Sequence, residues 1–284
     1  MLTLDFRTLT APLGILRILE VIFTCTTFSL VASVGHGFGS FWIWCMFTWC
    51  FCFCVTILIL VLEFTSLSSK LPISWRDFTT AFVMLATLMV FSATVIYSTF
   101  HACTTCGRQI GASTVSSLTI MLYSVEMKLI RAQSSETSGF LSTVPGQLKV
   151  LEAFMACIIF ICLYFTPYSY FSGLKWCVAV YSICFIFSFL VIILAIVRLP
   201  GRFPETFNKV LIVCNVLAVL MYITAVIIWP VYCFRNFARP NPCSLYCYWN
   251  YLVVVSVLSS FNLSAYIADT MYSLKPCSLC SPAV

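Results

Sequence analysis

Leu16-Arg17-Ile18-Leu19-Glu20 and Leu148-Lys149-Val150-Leu151-Glu152 are one pattern written twice, at an offset of 132. In each copy a basic residue, and a glutamate three positions on, interrupt an otherwise apolar run. Further matches follow in the same order. Leu71-Pro72 and Phe78 return as Leu199-Pro200 and Phe207, at offsets of 128 and 129. Cys103-Thr-Thr-Cys106 has its counterpart in Cys243-Ser-Leu-Tyr-Cys247, and Tyr123-Ser-Val-Glu126 in Tyr266-Ile-Ala-Asp269. Each match is weak alone, but four in one order with nearly equal offsets identify an internal repeat.

The material of the repeat is apolar. Of 284 residues, 62% are apolar, 16% aromatic and only 8% charged, and the mean hydropathy is +1.05. Soluble domains carry about 25% charged residues, so this chain cannot clothe a globule with water-compatible side chains. A cytosolic enzyme, a disordered protein and a nucleic-acid module are excluded. The net charge of +6 forms no basic run or stripe, so nucleic acid is not a partner. Most of the 17 cysteines lie inside apolar runs, where Cys behaves as a small hydrophobe.

A helix crosses a bilayer with about 20 mostly apolar residues. Eight candidates meet that length: 14–35, 41–62, 78–100, 109–127, 148–168, 175–197, 208–230 and 248–270. The fourth is small and polar at Gly111-Ala-Ser-Thr-Val-Ser-Ser117 and reads as a span packed among its neighbours, because small residues let helix backbones approach closely. Pro167 and Pro230 fall at helix ends, and Asn215 is the single strongly polar residue in mid-span. Period-two alternation is absent, which argues against a β-barrel.

Lys and Arg set the orientation. With the amino terminus inside, Arg7, Arg17, Lys70, Arg76, Lys128, Arg131, Lys149, Arg198, Arg202, Lys209 and Lys275 lie inside. Only Arg108, Lys175, Arg235 and Arg239 lie outside, and all nine acidic residues fall inside. Both termini are expected in the cytosol. Trp42, Trp44, Trp176, Trp229 and Trp249 then form an outer aromatic belt. The first span has no convincing cleavage site and has an internal counterpart, so it does not read as a signal peptide. An even number of spans per unit gives both copies one orientation, which excludes inverted repeats. The expected fold is an all-α membrane protein of eight transmembrane helices in two parallel four-helix repeats. Residues 1–131 form the first unit, 132–143 a polar cytosolic linker, and 144–284 the second unit with a short tail.

These features together resemble a known family. Tandem four-helix units with cytosolic ends, a basic-x-x-Glu start to the first helix and an acidic end to the fourth resemble paired MARVEL domains. Two in a chain of this size are similar to the myeloid-associated differentiation marker proteins. The resemblance covers roughly residues 8–275. It implies a non-catalytic, raft-associated, membrane-organising role in membrane apposition, vesicle traffic, junction organisation or protein targeting to the plasma membrane. It implies residence at the plasma membrane or vesicles. The partners would be the lipid bilayer, with cholesterol-rich ordered membrane, and other membrane proteins laterally.

Ionisable residues in spans are the first candidate sites, since an unpaired charge in lipid costs several kcal/mol. Arg17–Glu20 and Lys149–Glu152 are i, i+3 neighbours able to pair on one helix face. Arg17 is also within reach of Glu126, and Lys149 of Asp269. A structural clasp of snorkelling side chains is favoured over an ion relay, which would need charges at mid-membrane depth. On the outer face, Cys103–Cys106 and Cys243–Cys247 are expected as disulfides. Zinc on His101, Cys103 and Cys106 is the weaker alternative, and His36 has no acidic partner on that face. No nucleophile–base–acid set assembles, so no catalytic residue, cofactor or metal is assigned. Asn262-Leu263-Ser264 is a glycosylation pattern inside a helix and out of reach of the machinery. Cys277 and Cys280, beside Lys275 in the cytosolic tail, are candidate palmitoylation sites. The alternative function is a small-solute or ion transporter or channel built from parallel repeats.

Overall fold

The computed structural model of the chain describes residues 10–35, 40–101, 106–132, 139–199, 204–243 and 247–274. Among them are eight long helices and no strand. The first four are α1 (Pro12–Val34), α2 (Ser40–Phe64), α3 (Trp75–Phe100) and α4 (Gly107–Ala132). The others are α5 (Val144–Leu163), α6 (Ser172–Ile196), α7 (Pro204–Asn236) and α8 (Tyr248–Leu274). The chain divides into two compact units, Met1–Ser142 and Thr143–Val284. Seven helices are long and apolar enough to cross a membrane; α4 is the exception. It has the length, 26 residues, but its small polar stretch at 111–117 dilutes its apolar character.

Within the first unit α1 packs on α2 and α4, and α3 packs on the same two, closing a ring of four. The second unit closes the same ring from α5, α6, α7 and α8. The rings are inside-out by soluble standards. Ile22, Phe47, Ile186, Leu220 and Phe261 are at least half exposed, while the polar and charged side chains of the spans turn inward. That distribution suits a lipid solvent, where apolar surface costs nothing and polar groups must find each other.

Local sequence explains the helix starts. Ser74 caps α3, its hydroxyl accepting from the Asp77 N–H, and Thr143 caps α5 by accepting from the Gly146 N–H. Pro204 opens α7, at a position where its missing N–H costs nothing. Pro230 differs from expectation: α7 continues six residues past it, so it lies inside the helix. The polar linker expected over 132–143 is also shorter than its composition suggests. Ala132 still belongs to α4, and Phe140–Ser142 form a 3-10 turn against α3. There the Leu141 N–H donates to Asp77 Oδ1 at 2.9 Å, with Leu141 fully buried. Gly139 fits because a Cβ would collide with the Asp77 carboxylate.

The internal repeat is visible in hydrogen bonds. Trp44 Nε1 donates to Ser92 Oγ at 3.2 Å, and Trp176 Nε1 to Thr224 Oγ1 at 3.0 Å. Cys45 Sγ donates to the Ala93 carbonyl and Cys177 Sγ to that of Ala225. All these positions keep the offset of 132 that relates Arg17 to Lys149. The third helices therefore register at 132, and the Leu-Pro match at 128 aligns the wrong proline: Pro72 corresponds to Pro204, not Pro200. The fourth helices register at 143, because α7 and the connection after it are longer than their counterparts.

Candidate functional site

Each unit buries a charged cluster between its first and fourth helices. In the first unit Arg17 of α1, 3% exposed, donates through Nε to Glu126 Oε1 of α4 at 2.6 Å. Its Nη1 donates to Glu63 Oε2 of α2. Glu63 Oε1 also accepts from Trp75 Nε1 at 2.8 Å, so the start of α3 joins the same knot. The planar guanidinium serves two carboxylates on two helices at once, as a forked donor can. Glu20, one turn deeper on α1, makes no ion pair with Arg17: neither of its carboxylate oxygens accepts a hydrogen bond from a described residue.

In the second unit Lys149 of α5 is wholly enclosed. Its Nζ lies 2.7 Å from Glu152 Oε2, 2.9 Å from Asp269 Oδ2 of α8 and 2.7 Å from Asn215 Oδ1 of α7. Three donors meet three acceptors, and the rings of Phe187 and Tyr266 close over the ammonium with centroids 4.7 and 4.8 Å away. Asn215 Nδ2 completes the circuit by donating to Asp269 Oδ2 at 2.8 Å. Glu152 Oε2 also accepts from Ser188 Oγ at 2.8 Å, and Ser188 Oγ lies 2.8 Å from the Tyr266 hydroxyl.

From these clusters a polar ladder runs along the fourth helix of each unit. In α4, Tyr123 OH meets Thr56 Oγ1 at 2.9 Å, and Ser116 Oγ accepts from Trp49 Nε1 at 2.9 Å. In α8, Tyr266 is followed by Asn262, donating to Tyr222 OH at 2.7 Å, and Ser259, donating to Tyr181 OH at 2.8 Å. Spacings of three, four and seven residues keep these groups on one helix face. Asn215 is thus not alone among strongly polar mid-span residues: Asn262, fully buried in α8, is a second.

The structure brings Arg17 to Glu126, and Lys149 to both Glu152 and Asp269; it does not bring Arg17 to Glu20. Lys149, Glu152 and Asp269 are 0% exposed, because each head group finds partners inside the ring and has no need of the surface. Sequence reading missed Glu63 and the bridging roles of Asn215 and Ser188. The signal for Glu63 was present, an acidic residue ending the uncharged run 38–62.

At the opposite end of the first unit His101 follows α3. Burial holds its imidazole below the usual histidine range, and Nε2 has no described partner. Among the described residues no three metal-ligating side chains gather. Cys103, like His36, Cys277 and Cys280, lies outside the described residues. Cys106 immediately precedes α4, and Cys243 and Cys247 lie in the connection before α8. A hydrogen bond with Cys247 pushes the Cys243 thiol up, and Cys243 Sγ lies 3.9 Å from Asn250 Oδ1. Beside them Arg239 stacks over Trp249, 5.3 Å from the ring centroid.

The chain matches the membrane-associating domain MARVEL twice, over residues 8–129 and 140–272. It is 46% identical to the myeloid-associated differentiation marker homolog of Xenopus laevis over 287 residues, covering 94% of each chain. To the human myeloid-associated differentiation marker it is 41% identical over 285 residues, 94% of this chain and 88% of that one. The human myeloid-associated differentiation marker-like protein 2 is 38% identical over 288 residues, 96% of this chain and 94% of its own. No solved structure matches.

Proposed function

The chain belongs to the MARVEL membrane-associating domain family and is a multi-pass integral membrane protein, and from that premise we propose that it is a non-catalytic organiser of membranes. One observation carries the reading: apolar side chains cover the outside of each ring, while the buried polar side chains hold the helices to one another. Such a construction presents lipid-compatible faces for lateral packing. The finer reading has eight spans in two parallel four-helix units, with both termini in the cytosol, as the Lys/Arg asymmetry favours. It places the protein in ordered, cholesterol-rich regions of the plasma membrane or vesicles, serving apposition, traffic, junctions or protein delivery. Cys243–Cys247 and Cys103–Cys106 close as disulfides on the oxidising face, and Cys277 and Cys280 accept palmitate on the reducing one.

Proximity labelling from the carboxy terminus, combined with detergent-resistant fractionation, tests the function. The expected result is labelling of cytosolic and membrane neighbours and recovery in the ordered fraction, reduced when Cys277 and Cys280 are changed to Ser. Labelling confined to extracellular proteins, or complete detergent solubility of the wild type, contradicts the proposal.

A further inference from the structure

Glu20 and Glu152 hold the same place in the repeated motif, yet their surroundings differ in one decisive respect. Glu152 Oε2 accepts from Lys149 Nζ and Ser188 Oγ, while its Oε1 has no described donor. Glu20 is equally buried, and neither of its oxygens accepts from any described donor. The titratable groups around it come from three helices: Arg17 on α1, Cys52 on α2, and Tyr123 and Glu126 on α4. The thiol and phenol are uncharged near neutrality. Arg17 is directed to Glu126 and Glu63. What Glu20 abuts is the Glu126 carboxyl group. Two ionised carboxylates in contact inside a water-poor core repel, and the arrangement becomes favourable when they share one proton.

We propose that the first unit contains a proton-binding site made of Glu20 and Glu126. Glu20 is a carboxylic acid whose O–H donates to the Glu126 carboxylate, which Arg17 grips from its other side. The proton satisfies the otherwise orphaned Glu20 and adds a hydrogen bond between α1 and α4. It leaves Arg17 facing two carboxylates, the same balance that Lys149 meets in the second unit. In the second unit the equivalent glutamate instead takes two donors, Lys149 and Ser188, on its Oε2.

Infrared spectroscopy of the full-length protein in lipid vesicles at neutral pH, with and without ¹³C-glutamate, tests the site. The expected result is a carboxylic-acid C=O band that moves with the glutamate label, is lost in Glu20→Gln and persists in Glu152→Gln. Absence of a glutamic-acid band from the wild type overturns the proposal, as does its persistence in Glu20→Gln. If Glu20→Gln does not fold, Glu126→Gln replaces it. Loss of the charged acceptor shifts the band if the proposal holds, and an unmoved band refutes it. A band that disappears when choline in the buffer is replaced by sodium assigns the site to a metal cation and overturns the proton.

Discussion

The two units answer the same problem, a cation buried between first and fourth helices, with different third partners. In the first unit Arg17 reaches Glu63 on α2, whose side chain is 18% exposed. The equivalent position in the second unit is Ala195, buried and unable to contribute a charge. In the second unit Lys149 turns to Asn215 on α7, where the first unit has Val83, buried and apolar. The cation–acid link between first and fourth helices is thus common to both units, and the third partner has moved from one helix to another. The side chains suit the change. The long, forked guanidinium reaches a partly exposed acid on a neighbouring helix, whereas the compact ammonium needs all three acceptors close in the core.

By that difference, the second unit fails harder when its cation is lost. Lys149→Met leaves Glu152 and Asp269 in the core with no cation, and a cost of about 3–5 kcal/mol is expected. Unfolding in mixed micelles with rising dodecyl sulfate measures it. Asn215→Leu comes next, removing two hydrogen bonds to charged groups, with a loss of about 1.5–3 kcal/mol in the same assay.

A sharper comparison uses one position in two settings. Ser188 and Thr56 are equivalent in the repeat, and both meet the fourth-helix tyrosine. Only Ser188 also donates to a carboxylate, that of Glu152. Ser188→Ala is therefore expected to cost about 1.5 kcal/mol or more. Thr56→Val should cost only about 0.6 kcal/mol, the average for a single interhelical hydrogen bond in lipid. Equal losses would show that the Glu152 link carries no weight. A comparably small effect belongs to Glu63→Gln, which keeps an acceptor for Trp75 at the partly exposed edge of the cluster. A loss below about 1 kcal/mol is expected.

Much of this was legible in the sequence. A basic-x-x-Glu motif repeated inside apolar runs marked four of the clustered residues, and the acidic ends of α4 and α8 marked two more. What could not be read was register. The short Leu-Pro match set the third helices four residues out of step, and even the correct register pairs Asn215 with apolar Val83, which gives no hint that it faces Lys149. Nor does sequence separate a hydroxyl that crosses to a neighbouring helix from one that bonds its own backbone. Thr24 donates to the Glu20 carbonyl on its own helix, and Thr56 crosses to Tyr123. Both are threonines in apolar runs, and only packing distinguishes them. The expected Arg17–Glu20 pair failed for a related reason. Spacing of three residues permits contact, but acids on two other helices compete for the same guanidinium.

The central claim is that a buried cation of the first helix binds the acid of the fourth in each unit. Double-mutant cycles test it most directly, using Arg17→Met with Glu126→Gln and Lys149→Met with Asp269→Asn in the full-length protein. The account predicts a coupling of about 1 kcal/mol or more in both cycles. Additive effects in either the Arg17–Glu126 or the Lys149–Asp269 cycle would contradict it.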